Sequence, residues 1–81
     1  MSTSLSEAWV EAAPLMAELQ RATEGGGVLV VKVDNERDTN VFTLVISGSK
    51  FGGRFFRQDG SDLMAILRNA LAFCAEGTRK N

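Results

Sequence analysis

The chain contains no histidine and no tyrosine. That removes the side chain best suited to moving protons near neutral pH, the commonest transition-metal ligand and one further general acid. Its one cysteine, Cys74, cannot close an intramolecular disulfide or supply the several thiolates of a structural zinc site, so a reducing cytoplasm is the expected location. No apolar run approaches the roughly 18 residues of a membrane span, and the opening MSTSLSEAWV lacks the basic and then apolar segments of a secretory signal. Neither sign of charge dominates, with nine Lys and Arg against ten Asp and Glu for a formal net charge of −1, which argues against a polybasic nucleic-acid arm. These gaps point away from enzyme chemistry, and no cofactor or metal is expected.

What remains is the composition of a folded domain. At 81 residues with 44% hydrophobic side chains, the chain is long enough for one core and too short for two, giving a single domain over residues 1–81.

Leu5, Ala8, Trp9, Ala12, Leu15, Met16, Leu19 and Ala22 recur at the three-and-four spacing of an amphipathic helix over about residues 5–24. Ser4 and Glu7 fit a capping box at its start, and Pro14 predicts a kink or two helical pieces sharing a face. Gly25, Gly26 and Gly27 end this helix. Strands are expected at about 28–34, 41–47 and 54–57. Phe42, Leu44 and Ile46 should turn inward, Thr43 and Ser47 outward, with a polar hairpin at 34–40. Gln58-Asp59-Gly60-Ser61 reads as a break, with Asp59 or Ser61 capping a second helix over about 61–76. That helix carries Leu63, Ile66, Leu67, Ala70, Phe73 and Cys74 inward and is closed by Gly77, beyond which residues 78–81 are expected to fray. Two such helices and a three-stranded antiparallel sheet bury their apolar faces most simply as α+β, in the order α-β-β-β-α, with both helices on one face.

Three patterns resemble chemical sites only in part. Asp34, Glu36, Asp38 and Asn40 alternate as calcium-loop ligands do, but the required glycine and distal glutamate positions hold Thr39 and Val45. In Gly48-Ser49-Lys50-Phe51-Gly52-Gly53 the lysine precedes the glycines and a strand follows, the wrong order for a phosphate loop. Cys74 falls in phase with the core residues of its helix.

Two surfaces remain. Glu7, Glu11 and Glu18 share one side of the first helix and form either a plain solvent face or a docking stripe for a basic partner. Lys50, Phe51, Arg54, Phe55, Phe56 and Arg57 concentrate three of the five phenylalanines and three of the nine cations. Alternation sends only one of Phe55 and Phe56 inward, leaving the other, together with Phe51, beside the cations as a protein hot spot or a base-stacking surface. The alternative is that these aromatics close the core and Arg54 and Arg57 are edge charges.

The order of elements, with Pro14-Leu15-Met16-Ala17-Glu18-Leu19 in the first helix and Asn40-Val41-Phe42-Thr43-Leu44-Val45-Ile46-Ser47-Gly48 as a middle strand, resembles a double-stranded-RNA-binding domain. That family grips phosphates with a lysine-rich start of the second helix. Here the matching segment is Asp59-Gly60-Ser61-Asp62-Leu63-Met64 and the hairpin carries Asp34, Glu36 and Asp38, so RNA binding is not expected. In size and style the chain is also similar to the small inhibitors that phages and bacteria make against nucleic-acid machines, anti-CRISPR proteins and toxin-immunity proteins among them. The expected function is therefore a non-enzymatic inhibitor that occludes a protein or nucleoprotein complex, acting as a monomer or weak dimer, with no membrane and no double-stranded RNA as partner. An immunity protein, a nucleic-acid-binding module and an enzyme built on Asp or Glu residues are the alternatives.

Overall fold

A computed structural model describes residues 5–78. It shows α1 (Leu5–Thr23), β1 (Val28–Val33), β2 (Phe42–Ser47), a 3-10 turn (Ser49–Phe51), β3 (Phe56–Gly60) and α2 (Leu63–Thr78). The three strands form one antiparallel sheet in the order β1-β2-β3. Both helices lie on the same face of it, α1 against β1 and α2 against β2 and β3, and they pack on one another. This is the expected α+β arrangement. Ser4, the expected cap of α1, lies outside the described residues, as do residues 79–81.

α1 continues through Pro14 as one element. The carbonyl that Pro14 leaves without a donor is that of Val10, four residues back. Pro14 is exposed and Val10 is 75% exposed, so water can reach that side of the helix. At the other end, the Thr23 hydroxyl donates to the Leu19 carbonyl at 3.0 Å, and the Gly27 N–H donates to the Thr23 carbonyl at 2.8 Å, closing the turn into β1.

The hairpin between β1 and β2 is built by its polar residues. Asp34 Oδ1 accepts from the Glu36 N–H at 3.1 Å and Oδ2 pairs with Arg37 at 3.3 Å, while Arg37 also donates to the Asn40 carbonyl at 2.9 Å. Of the alternating acids, Asp34 thus serves turn geometry by holding the backbone.

The third strand departs from expectation: it occupies Phe56–Gly60, not 54–57. The Phe51 ring is driven into the core by the 3-10 turn, and Arg54 N–H donates back to the Phe51 carbonyl at 3.1 Å, so the chain extends only from Phe56 onward. Asp59 and Gly60, poor strand formers by themselves, pair with Thr43 and Phe42 of β2. Gly60 is also where α2 approaches, since a Cβ there would lie 3.0 Å from the Ile66 side chain. α2 is capped by Asp62, not by Asp59 or Ser61: its Oδ1 accepts the Ala65 N–H at 3.2 Å, the N-cap to N3 bond. The helix passes through Gly77 and reaches Thr78.

The core lies between sheet and helices. Phe42, Leu44 and Ile46 of the central strand are buried beneath Ala12 and Leu19 of α1 and Leu63, Ile66, Leu67, Ala70 and Cys74 of α2. Burial pushes the Cys74 thiol up from its ordinary pKa, against the pull of the Lys50 charge. A thiol held protonated is a poor nucleophile, in keeping with a packing role.

Candidate functional site

The helices cover only one side of the sheet. By the pairing register, the other side carries Val28 opposite Ser47, then the row Val30, Val45, Arg57, then the row Lys32, Thr43, Asp59. Phe55, directly before Phe56, alternates to this same side. Val28, Val30 and Phe55 are half to two-thirds exposed, at 51%, 49% and 67%. Three of the four large hydrophobic residues so exposed among the described residues therefore sit on the helix-free face, rimmed by Lys32 and Arg57.

Thr43 was expected to face outward and does point away from the helices, yet it is buried. It stands on the central strand between Lys32 and Asp59, and its hydroxyl donates to Asp59 Oδ1 at 2.6 Å. Arg57 lies 3.5 Å from the same carboxylate oxygen. The Thr43 hydrogen bond, followed by the charges of Arg57 and Arg37, holds the Asp59 carboxyl below the usual carboxylate range against an opposing desolvation. A group whose folded pKa is depressed stabilises the fold above its unfolded pKa, and the contribution is lost as pH falls through the lower folded value. Side-chain NMR titration of Asp59 should give a midpoint below that of a free aspartate, moved upward in Thr43→Val. An unmoved midpoint would remove the hydroxyl as its main cause.

The six residues of the aromatic-basic segment separate. Phe51 is buried, contrary to its expected place at the surface, and its ring lies 5.3 Å from that of Phe73. Half-buried Phe56 meets the other side of the cluster, 5.7 Å from Phe73. Arg54 lays its guanidinium 4.5 Å over the Phe73 ring and reaches Glu76 at 3.7 Å, so it lids the cluster from solvent. Lys50 is tied to the glycine turn, its Nζ donating to the Glu24 carbonyl at 2.8 Å and its N–H to the Gly26 carbonyl at 3.2 Å. Only Phe55 and Arg57 join the helix-free face. Removing the lid in Arg54→Ala should cost about 1 kcal/mol, through the cation–π contact more than the exposed ion pair. A chemical denaturation midpoint equal to wild type would refute that.

Glu7, Glu11 and Glu18 are exposed on α1, in the layer opposite to the Phe55 face, so the two candidate surfaces do not merge. Glu18 also borders a hollow of about 290 Å³ with Ala22, Lys50, Leu71, Cys74 and Ala75. No cluster of three or more His, Cys, Asp or Glu side chains able to hold a metal occurs among the described residues, nor does any helix long and apolar enough to cross a membrane.

Sequence reasoning missed Val28 and Val30. Their signal was present, because the run Val28-Leu29-Val30-Val31 is apolar at both parities and such strands are normally covered on both faces. No protein-family model, curated protein or solved structure matches this chain.

Proposed function

We propose that this protein is a small binding module that inhibits a macromolecular partner by covering its functional or nucleic-acid-binding site, working in the cytoplasm. One observation carries this reading: the helix-free face presents Phe55, Val28 and Val30 together, with Arg57 and Lys32 at their rim. An exposed aromatic among aliphatic side chains with arginine beside it is the composition of an interface centre. An exposed apolar centre with a charged rim suits occlusion of a protein surface. Anti-CRISPR proteins and toxin-immunity proteins act in this manner, and the partner belongs to the class of nucleic-acid machines or toxins such inhibitors cover.

The nucleic-acid reading has less support. Arg57 already faces Asp59, Arg54 is engaged by Phe73 and Glu76, and Asp62 occupies the start of α2. Immobilised full-length chain is the test, with retained proteins compared between wild type and single variants. A protein held by wild type and by the Glu7/Glu11/Glu18→Lys variant, but lost on Phe55→Asp and on Arg57→Glu, supports the helix-free face. A protein lost only on reversal of the three glutamates would move the site to α1. Salt-sensitive micromolar binding of an RNA duplex of about 16 base pairs, lost on Arg57→Glu, would replace the inhibitor by a nucleic-acid module.

A further inference from the structure

β1 is an edge strand whose outer side nothing among the described residues pairs with. Asp34 N–H donates to the Val41 carbonyl at 2.8 Å. On this ladder, then, the even-numbered residues of β1 bond to β2, while Leu29, Val31 and Val33 direct their N–H and C=O groups outward. Edges of this kind are normally blunted by charge, proline or a bulge. β3 has Arg57 and Asp59, whereas β1 reads VLVVKV with Lys32 as its only charge.

The layer above that edge is equally unguarded. Leu29, Val31 and Val33 point to the helix side yet stay half-buried, whereas Phe42, Leu44 and Ile46 beside them are fully covered. The flank of α1 over the edge forms a hollow of about 510 Å³ lined by Trp9, Ala13, Met16, Ala17, Gln20 and Leu29. At 100° per residue, Val10, 75% exposed, falls at the margin of this flank, between Ala17 and Arg21. Not one of these residues is charged, while Glu7, Glu11, Glu18 and Arg21 occupy the adjoining flank.

The geometry points to a second copy of this chain as the occupant, in a two-fold dimer built on β1 and α1. The surface is self-complementary. With the axis through Val31, the outward residues pair as Val31 with Val31 and Leu29 with Val33 of the second copy, forming about six ladder hydrogen bonds and a six-stranded sheet. This register is favoured because the Gly27 N–H is already committed to Thr23 and cannot extend the ladder. The half-buried Leu29, Val31 and Val33 then cover one another. Above them the two α1 flanks run antiparallel with Ala13 beside Ala17, small side chains that let helices approach closely. Because the flank is uncharged, two acid-leaning chains meet without opposing like charges there. Lys32 projects to the helix-free side and keeps its ammonium in water.

This association leaves the Phe55 face open and is independent of the function proposed above. Sedimentation equilibrium of the full chain from about 10 μM to about 1 mM should show the apparent mass rising from 8.8 kDa toward twice that value. Ala13→Glu and Ala17→Glu, both at exposed helix positions, should weaken dimerisation at least tenfold with unchanged circular dichroism, and Phe55→Asp should leave it intact. Hydrogen exchange of wild type gives an independent reading. The Leu29, Val31 and Val33 amides should gain protection as concentration rises, while Val28, Val30 and Lys32 are protected throughout. A wild-type mass of 8.8 kDa up to about 1 mM overturns the proposal. So does a dimer in which the three odd-numbered amides exchange freely, or one broken by Phe55→Asp and untouched by Ala17→Glu.

Discussion

Gly48→Ala is expected to destabilise the fold by about 3 to 5 kcal/mol. Gly48 has φ 115° and ψ 167°, a region essentially closed to residues with a side chain. It is also where two loops meet. A Cβ at this position would lie 2.3 Å from the Gly26 carbonyl oxygen and 3.0 Å from the Gly27 Cα. Both obstacles are backbone, so no rotamer change relieves them. The Gly26 carbonyl meanwhile accepts the Lys50 N–H at 3.2 Å, and the Gly48 carbonyl accepts the Phe51 N–H at 3.1 Å. Moving either loop therefore disturbs the turn that inserts Phe51 beside Phe73. For 81 residues at the usual 0.05 to 0.15 kcal/mol each, total stability is about 4 to 12 kcal/mol, so the loss would reach a large share of it. Gly53→Ala is the control: beyond its two chain neighbours, no atom of the described residues lies within 4 Å of its Cβ position, and its φ is not in the left-handed region. Urea unfolding of the two variants should differ by several kcal/mol, and equal midpoints would show that the loops are not in contact.

The same loop marks the limit of what the residues reveal in order. Alternation over Phe42, Leu44 and Ile46 is legible because a half-buried strand repeats every two residues, and the helical stripes are legible for the same kind of reason. Phe51 was not, since its burial comes from a 3-10 turn whose direction depends on where Gly48 meets Gly26, a contact more than twenty residues apart in the chain. The start of β3 then shifted by two residues. Asp59 and Gly60 look like breakers and become strand only because β2 supplies a partner for each. Of the two surfaces read from sequence, the glutamate stripe stands where helical periodicity puts it. The aromatic-basic segment does not survive as a unit, because adjacency in sequence at a strand entry sends neighbours to opposite faces: Phe56 in, Phe55 out. The partners of Phe55 on its face, Val28 and Val30, come from a strand that no local pattern connects to it.

The strand phase that separates those faces has its own large test, in a pair of adjacent substitutions on β2. Leu44→Ala is expected to cost about 2 to 5 kcal/mol. Leu44 is 1% exposed between Val31 and Gln58 on the central strand, beneath both helices, where close packing on every side lets little collapse into the space vacated. Thr43→Ala should cost clearly less although Thr43 is also buried. Its side chain points to the helix-free face, the volume lost is smaller, and water can replace its hydroxyl at Asp59, which remains exposed and retains Arg57. The two losses should also differ in their dependence on pH. The Leu44→Ala deficit is apolar and stays nearly constant, whereas the Thr43→Ala deficit contains the bond to ionised Asp59 and shrinks as pH falls through the depressed folded pKa of that carboxyl. Chemical denaturation of wild type and both variants at neutral pH and at acid pH measures all four differences. If Thr43→Ala proved the more damaging at neutral pH, the helices would cover the opposite face of the sheet, and Phe55, Val28 and Val30 would be core residues instead of a binding surface.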